Sequence, residues 1–368
     1  MTPRSADRRY MQLCIKLARQ GGSAVSPNPL VGAVLVRDGE ILGRGFHEIY
    51  GGPHAEVRAI QNALCRGHRL TGACLYVSLE PCVHFGKTAP CVDTIIEHGI
   101  GEVVFGMTDP NPLVTGRSGE ILEANGISTR GGVLGDACSR LNERYATWVN
   151  KKRPFVAIKS AQSQDGFITS PHQRGRNITS RPSRVFVHEL RSQYDAILVG
   201  AGTVIVDNPE LTVRHVKGRN PLRIVVDGLL RTPLSSAVYT DACRVLTTVY
   251  ADARQEVFHK EKIHILVDRG VQVVLLEARD GRIPVANILE DLRNKYVASV
   301  FVEGGAQMYD EFLKAKVVDK MYVFTASCRL RSGLQGVHVG HLGARAQLQM
   351  RRIGDDHLIE ASIVGGRP

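Results

Sequence analysis

Two short stretches constrain this chain more than any other feature: Pro53-His54-Ala55-Glu56, and the run Glu80-Pro81-Cys82-Val83-His84-Phe85-Gly86-Lys87-Thr88-Ala89-Pro90-Cys91. Within them His54, Cys82 and Cys91 offer one imidazole and two thiols, and Glu56 a carboxylate outside that set. A catalytic zinc site needs three protein ligands and an open position for water, and one nitrogen with two thiolates meets that need. Water bound there ionises near neutrality, while a nearby carboxylate moves its protons. The reading constrains the fold. His54 and Glu56 follow a proline and share one helix end, and Cys91 follows Pro90 at the start of a second helix, where the macrodipole favours thiolate. A lone His or Cys is most often a packed core residue, and a purely structural zinc would use four protein ligands and leave Glu56 without a role. Both halves in order, each behind a proline, favour the catalytic reading.

At 368 residues the chain predicts two domains, and 43% apolar with 23% charged residues describes a globular protein. The longest nearly apolar run, 197–206, is broken by glycines and far short of the ~20 residues that span a bilayer. No charged-then-apolar leader opens the sequence, so a cytoplasmic location is expected. The eight cysteines are scattered and do not form a disulfide framework. Cys14, Cys65, Cys74, Cys138, Cys243 and Cys328 are expected to be small buried hydrophobes. A net charge of +11 suits polyanions: RNA, a phosphorylated metabolite or a dinucleotide. The absence of a long basic arm and the single Trp at 148 count against a nucleic-acid surface, and no membrane or nucleic-acid partner is expected.

In chain order, Ser5 can cap a first helix carrying Tyr10, Leu13, Cys14 and Leu17 on one face. Residues 31–36 and 41–46 read as strands joined at Asp38-Gly39. Helices are expected at 54–65, 91–98 and near 119–124, with strands at 74–79, 103–105 and 127–129, an α/β sandwich. The charged turn Asn150-Lys151-Lys152-Arg153-Pro154 divides the chain into domains 1–149 and 150–368. The second half predicts strands at 155–159, 196–200, 222–227, 245–250, 263–267, 271–276, 299–303 and 321–324, with helices at 285–296 and 306–315. Gly200-Ala201-Gly202-Thr203 and Glu303-Gly304-Gly305-Ala306 are strand-to-helix turns of a kind that suits phosphate, although a tight turn without a ligand explains either one alone.

His-x-Glu followed by Pro-Cys and a second Cys is the signature of zinc nucleobase deaminases. The longer series Asn28-Pro29, Val31-Gly32, His47, His54-Ala55-Glu56, Glu80-Pro81-Cys82, Gly86-Lys87-Thr88, Pro90-Cys91 and Asp109-Pro110-Asn111-Pro112 resembles the bifunctional deaminase/reductase of riboflavin biosynthesis. The likeness continues through Lys159, Ala161, Ser163, Asp165-Gly166, Gly202-Thr203-Val204, Asp207, Pro209, Leu211-Thr212, Arg214 and Val302-Glu303-Gly304-Gly305. It implies a cytidine-deaminase-like α/β/α sandwich followed by a dihydrofolate-reductase-like α/β domain. The first would remove the 2-amino group of 2,5-diamino-6-ribosylamino-4(3H)-pyrimidinone 5′-phosphate, and the second would use NADPH to reduce ribosyl to ribityl. By the same resemblance His54, Cys82 and Cys91 hold Zn2+ and Glu56 shuttles protons. Asn28, His47, Lys87, Asp109 and Asn111 line the pyrimidine and phosphate pocket. Arg191, Leu211, Arg214 and Glu303 meet the second substrate, while Lys159, Ala161, Asn177, Thr203, Asp207, Gly304 and Gly305 surround NADPH. A homo-oligomer is expected.

The chain departs from that family at Arg174-Gly175-Arg176-Asn177-Ile178-Thr179, where Gly175 stands for a Ser and Asn177 for a Trp, and at Val83 and Ala89 in the cysteine segment. Two other readings therefore stay open: a deaminase whose second half is inert, and a deaminase acting on bases in RNA. The eight residues between the cysteines and the second α/β pattern oppose the latter.

Overall fold

The structure is a computed structural model that describes residues 3–169, 177–279, 281–343 and 346–363. It comprises two compact units, Met1–Arg153 and Pro154–Pro368, so the division of the chain falls inside the charged turn at 150–154.

In the first unit β1 (Gly32–Arg37), β2 (Glu40–Phe46), β3 (Cys74–Leu79), β4 (Glu102–Met107) and β5 (Ser128–Arg130) form one sheet in the order β2-β1-β3-β4-β5. β1 runs antiparallel to both β2 and β3, and β3, β4 and β5 are parallel. The β1–β2 turn has positive φ at both Asp38 and Gly39, the backbone of a two-residue hairpin. Alternation along the strands sorts side chains onto two faces. Ala33, Leu35, Leu75, Val77 and Val103 meet helices Ala55–Cys65, Cys91–Glu97 and Arg117–Ala124, while Val34, Val36, Tyr76 and Val104 meet helices Pro3–Ala18 and Gly135–Leu141. Both helices that carry the zinc motif thus lie on one face.

The first helix begins at Pro3, ahead of the expected cap at Ser5, and it buries Tyr10, Met11, Cys14, Ile15 and Ala18 while Leu13 and Leu17 are only partly covered. Helix Ala55–Cys65 sits directly on β2. A Cβ on Gly43 would stand 2.2 Å from the Ala59 carbonyl, and one on Gly45 would stand 2.5 Å from the Ala55 carbonyl. Facing Ala55, Ala59 and Ala63, these glycines let the helix backbone approach the strand.

In the second unit nine strands form one sheet. They are β6 (Phe155–Gln162), β8 (Ala196–Gly200), β9 (Leu222–Val226), β10 (Thr247–Asp252), β11 (Val271–Leu276), β12 (Ser299–Gly304), β13 (Lys320–Thr325), β15 (Ala346–Ile353) and β16 (Asp356–Ile363). Their order is β11-β10-β9-β8-β12-β6-β13-β16-β15, parallel from β11 to β13, with an antiparallel hairpin closing one edge. A separate ribbon pairs β7 (Phe167–Thr169) with β14 (Leu334–Gln335). The sheet is apolar on both faces, as a parallel sheet covered by crossover helices must be.

Two expectations are corrected here. The stretch 263–267 is not a strand but lies within helix Lys260–Asp268. β10 and β11 are parallel neighbours, so their connection must cross over, and this helix does so with Leu266 buried against the sheet. Of the six cysteines expected in the core, Cys14 and Cys138 are buried and Cys74 is half-buried, but Cys65, Cys243 and Cys328 are exposed. Cys65 is the last residue of its helix, and the other two lie outside helices and strands.

Candidate active sites

His54 is the N-cap of helix Ala55–Cys65, and Cys91 is the first residue of helix Cys91–Glu97 after the N-cap Pro90. These two helix starts converge with Cys82, which lies just beyond β3. His54 Nδ1 is 3.2 Å from Cys91 Sγ and 3.4 Å from Cys82 Sγ, and the Cys91 amide donates to Cys82 Sγ at 3.3 Å. The three donor atoms lie within 4.8 Å of one another. Two thiol sulfurs and an imidazole nitrogen this close fit a tetrahedral zinc with one position left open. Thr88 Oγ1 is 3.1 Å from His54 Nε2, so the imidazole is held from its far side and Nδ1 is left for the metal. Glu56, in the first turn of the same helix, is 3% exposed, and burial pushes its carboxyl up to about 7 against the pull of His54.

The residues expected around the pyrimidine fall in linked groups. His47 Nδ1 donates to the Pro53 carbonyl at 3.1 Å, which leaves Nε2 to accept from Asn28 Nδ2 at 3.1 Å. Burial holds the His47 pKa below the usual histidine range, and the ring meets His54 edge-on at 5.5 Å. Lys87 is exposed with Nζ 4.0 Å over the Tyr50 ring. Asp109 is buried, and burial pushes its carboxyl up to about 6. It accepts from the Asn111 amide at 2.8 Å and from Tyr145 Oη at 3.1 Å. Glu80, also buried, accepts from the amides of Asp109 and Gly116 and from Ser118 Oγ, which fixes the loop that presents Asp109 and Asn111. Sequence reasoning gave Tyr145, Thr88 and Glu80 no role. Tyr145 lies outside every motif, but the latter two stand inside motif segments and were open to notice.

The second unit contains a cavity of about 880 Å³ at the C-terminal ends of its parallel strands, the usual place for a ligand in such a sheet. All the residues expected to meet the second substrate and NADPH line it: Arg191, Leu211, Arg214 and Glu303, with Lys159, Ala161, Asn177, Thr203, Asp207, Gly304 and Gly305. Gly175 lies outside the described residues. Arg191 grips Glu303 through two bonds, 2.5 and 2.9 Å, and Lys159 Nζ is 3.8 Å from the same carboxylate. Burial alone would raise Glu303, but Arg191 and Lys159 together hold it below the usual range. Lys159 is held below the usual lysine range by burial, opposed by Glu303. Arg214 pairs with Glu210 at 2.5 Å, and Arg191 also donates to the Thr212 carbonyl at 3.0 Å, so the loop carrying Leu211 and Arg214 is tied to the cluster. His188 was missed. It is buried in the cavity wall, its Nδ1 accepts from the Arg214 amide at 3.0 Å, and burial with Arg191 nearby lowers its pKa to about 4.

The dinucleotide fits this cavity. Gly305 is the N-cap of helix Ala306–Lys314, and Gly304, Gly305, Ala306 and Gln307 all line the space. A Cβ on Gly304 or Gly305 would come within 3.2 or 3.3 Å of Thr203 Oγ1, so the glycines keep this turn close to Thr203. Backbone amides at such a helix start suit a pyrophosphate.

Residues 4–107 match the family described as cytidine and deoxycytidylate deaminase zinc-binding region, and residues 154–354 match the RibD C-terminal domain. Riboflavin biosynthesis protein RibD of Aquifex aeolicus (strain VF5) is 38% identical over 365 residues, with 98% of each chain covered. That of Escherichia coli (strain K12) is 33% identical, with 90% of each covered. Among solved structures, a diaminohydroxyphosphoribosylaminopyrimidine deaminase/5-amino-6-(5-phosphoribosylamino)uracil reductase from Thermotoga maritima is 37% identical with a TM-score of 0.85, over 98% of this chain and 99% of that one. Acinetobacter baumannii RibD is 28% identical with a TM-score of 0.81, over 98% of this chain and 100% of that one.

Proposed function

This chain belongs to the riboflavin biosynthesis protein RibD family, and from that premise we propose how its two sites divide the work. It is a bifunctional enzyme of riboflavin biosynthesis, a zinc-dependent deaminase joined to an NADPH-dependent reductase, and it acts on a small phosphorylated pyrimidine. We assign hydrolytic loss of the 2-amino group of 2,5-diamino-6-ribosylamino-4(3H)-pyrimidinone 5′-phosphate to residues 1–149. Reduction of the ribosyl group to ribityl falls to residues 150–368. The observation that carries the reading is the convergence of His54, Cys82 and Cys91 on the helix face that also buries Glu56.

Zinc held by His54, Cys82 and Cys91 makes water nucleophilic near neutrality. Glu56, buried in the first turn of the helix that His54 caps, would take a proton from the attacking water and return it to the departing amino group. Asn28 and His47 hold the pyrimidine with fixed donor and acceptor directions, Asp109 and Asn111 close the pocket, and Lys87 offers its ammonium to the phosphate.

NADPH supplies the hydride in the second reaction. Gly304, Gly305, Thr203 and Asp207 cradle it, with Ala161 and Asn177 alongside. Glu303, Arg191, Leu211 and Arg214 orient the ribosyl phosphate. Lys159, whose burial favours release of its proton, would give that proton to the sugar ring oxygen when the ring C–O bond opens. An inert second half is disfavoured because Lys159 and Arg191 both remain paired with Glu303 inside the cavity. RNA deamination is disfavoured by the match to the reductase family over 154–354.

A homo-oligomer is the companion reading, supported by the exposed edge strand β15, where Leu348 and Met350 face solvent. Light scattering on the purified chain tests it. A cytoplasmic location completes the reading, and no helix among the described residues is long and apolar enough to cross a membrane. For the reactions, the test is incubation with the diaminopyrimidine phosphate, with and without NADPH, and identification of the products by mass. A deaminated product alone, then a deaminated and reduced one, is expected. Deamination with no reduction at millimolar NADPH would remove the second half of the reading.

A further inference from the structure

The cavity of the second unit extends past the residues assigned so far. Its outer end lies beyond β9 and is lined by Gly228, Leu229, Arg231, Arg282, Ile283 and Glu311. β9 is two strands from β12, where Gly304 and Gly305 stand. That separation is about 10 Å across a sheet, the span a dinucleotide needs between its pyrophosphate and the far side of its adenosine. We propose that Arg231 and Arg282 bind the 2′-phosphate of NADPH and set the enzyme's preference for NADPH over NADH. The proposal rests on the reading of this cavity as the dinucleotide site.

The turn that carries Arg231 is built rigidly. Asp227 Oδ2 accepts from the amide and the hydroxyl of Thr232, both at 2.7 Å, and the Leu230 amide donates to the Asp227 carbonyl at 2.9 Å. Lys262 Nζ donates to the carbonyls of Leu230 and Thr232, one on each side of Arg231. Among the described residues Arg231 itself has no ion-pair or side-chain hydrogen-bond partner, so its guanidinium is free to take a ligand's charge. The facing turn is closed by paired backbone bonds between Arg279 and Arg282. Arg282 is paired with Glu311, the one acid lining this end among the described residues. An unneutralised carboxylate there would repel a 2′-phosphate and welcome the 2′-hydroxyl of NADH. Arg282 cancels that charge, and Arg231 adds a positive one. Leu229, exposed although apolar, and Ile283 offer the flat apolar wall that an adenine ring needs.

The test is equilibrium titration of the full-length protein with NADPH and NADH, and with adenosine 2′,5′-bisphosphate against 5′-AMP. Wild type is expected to favour the 2′-phosphorylated member of each pair. Arg231→Ala should weaken NADPH and the bisphosphate by about 10–100-fold, the worth of a hydrogen bond to a charged group, and leave NADH and 5′-AMP unchanged within error. Arg231→Lys should recover part of the loss. An unchanged ratio of NADPH to NADH affinity in Arg231→Ala overturns the proposal, whether neither affinity moves or both fall together. Failure of wild type to bind either dinucleotide overturns the reading of the cavity as well.

Discussion

Gly45 touches no expected ligand or substrate residue, yet its replacement should disable the deaminase. It faces helix Ala55–Cys65 across β2, and a Cβ there would stand 2.5 Å from the Ala55 carbonyl, 2.5 Å from the Ala59 amide and 2.6 Å from Arg58 Cβ. Ordinary contact begins near 3.4 Å, so Gly45→Ala must drive helix and strand apart by roughly 0.9 Å. Two of the three obstructing atoms are helix backbone, and no side-chain rotation relieves them. His54 caps this helix and Glu56 lies in its first turn, so both move against Cys82 and Cys91, which other segments hold. Overpacking of this kind costs about 1–3 kcal/mol, and a shift of about 1 Å in reacting groups costs about 10²-fold in rate. Gly39→Ala, in the β1–β2 turn at φ 81° with open space around its Cβ, is the control. Its left-handed backbone costs a similar ~1–2 kcal/mol but moves no helix. Deaminase turnover and thermal unfolding of both variants, with NADPH-dependent reduction as an internal reference, make the comparison. Gly45→Ala at more than half the wild-type deaminase rate would refute the reasoning.

Glu56→Gln should keep its zinc by metal analysis and lose about 10²-fold or more in deamination, because an amide cannot accept the proton from water; turnover within a few-fold of wild type would reassign proton transfer. Glu303→Ala leaves Arg191 buried without its partner, which should cost about 3–5 kcal/mol and lower the unfolding temperature of the second unit by several degrees or more. Reduction should be lost and deamination kept. Asn177→Trp places an aromatic face in the cavity wall worth ~1 kcal/mol, and should lower the Michaelis constants of the reductase several-fold with little change in turnover. An unchanged Michaelis constant would show that residue 177 does not face the bound ligands.

The clustering of His54, Cys82 and Cys91 was legible in the sequence because each stands at a position with a backbone reason: His54 and Cys91 at helix starts behind prolines, and Cys82 just after a strand. The hairpin at Asp38-Gly39 was legible for the same reason, since that dipeptide accepts the positive φ values its turn requires. The stretch 263–267 misled because Ile263, Ile265 and Val267 alternate as in a strand; only the parallel pairing of β10 with β11, a long-range fact, makes it a helix. β15 and β16 escaped notice because β15 is exposed along nearly its whole length: its alternating Leu348 and Met350 face solvent, so no buried face marks it as a strand. Tyr145 donates to the Asp109 carboxylate and His188 accepts from the Arg214 amide, and nothing local in the sequence signals such partners.

The most direct measurement is the zinc content of wild type and of Cys91→Ala, taken together with deamination of the diaminopyrimidine phosphate. A three-ligand site has no spare protein ligand, so wild type should hold one zinc per chain, and Cys91→Ala should lose the metal and the deaminase activity together while still binding NADPH. Full zinc occupancy and full deamination in Cys91→Ala would contradict the assignment of His54, Cys82 and Cys91 as the metal site.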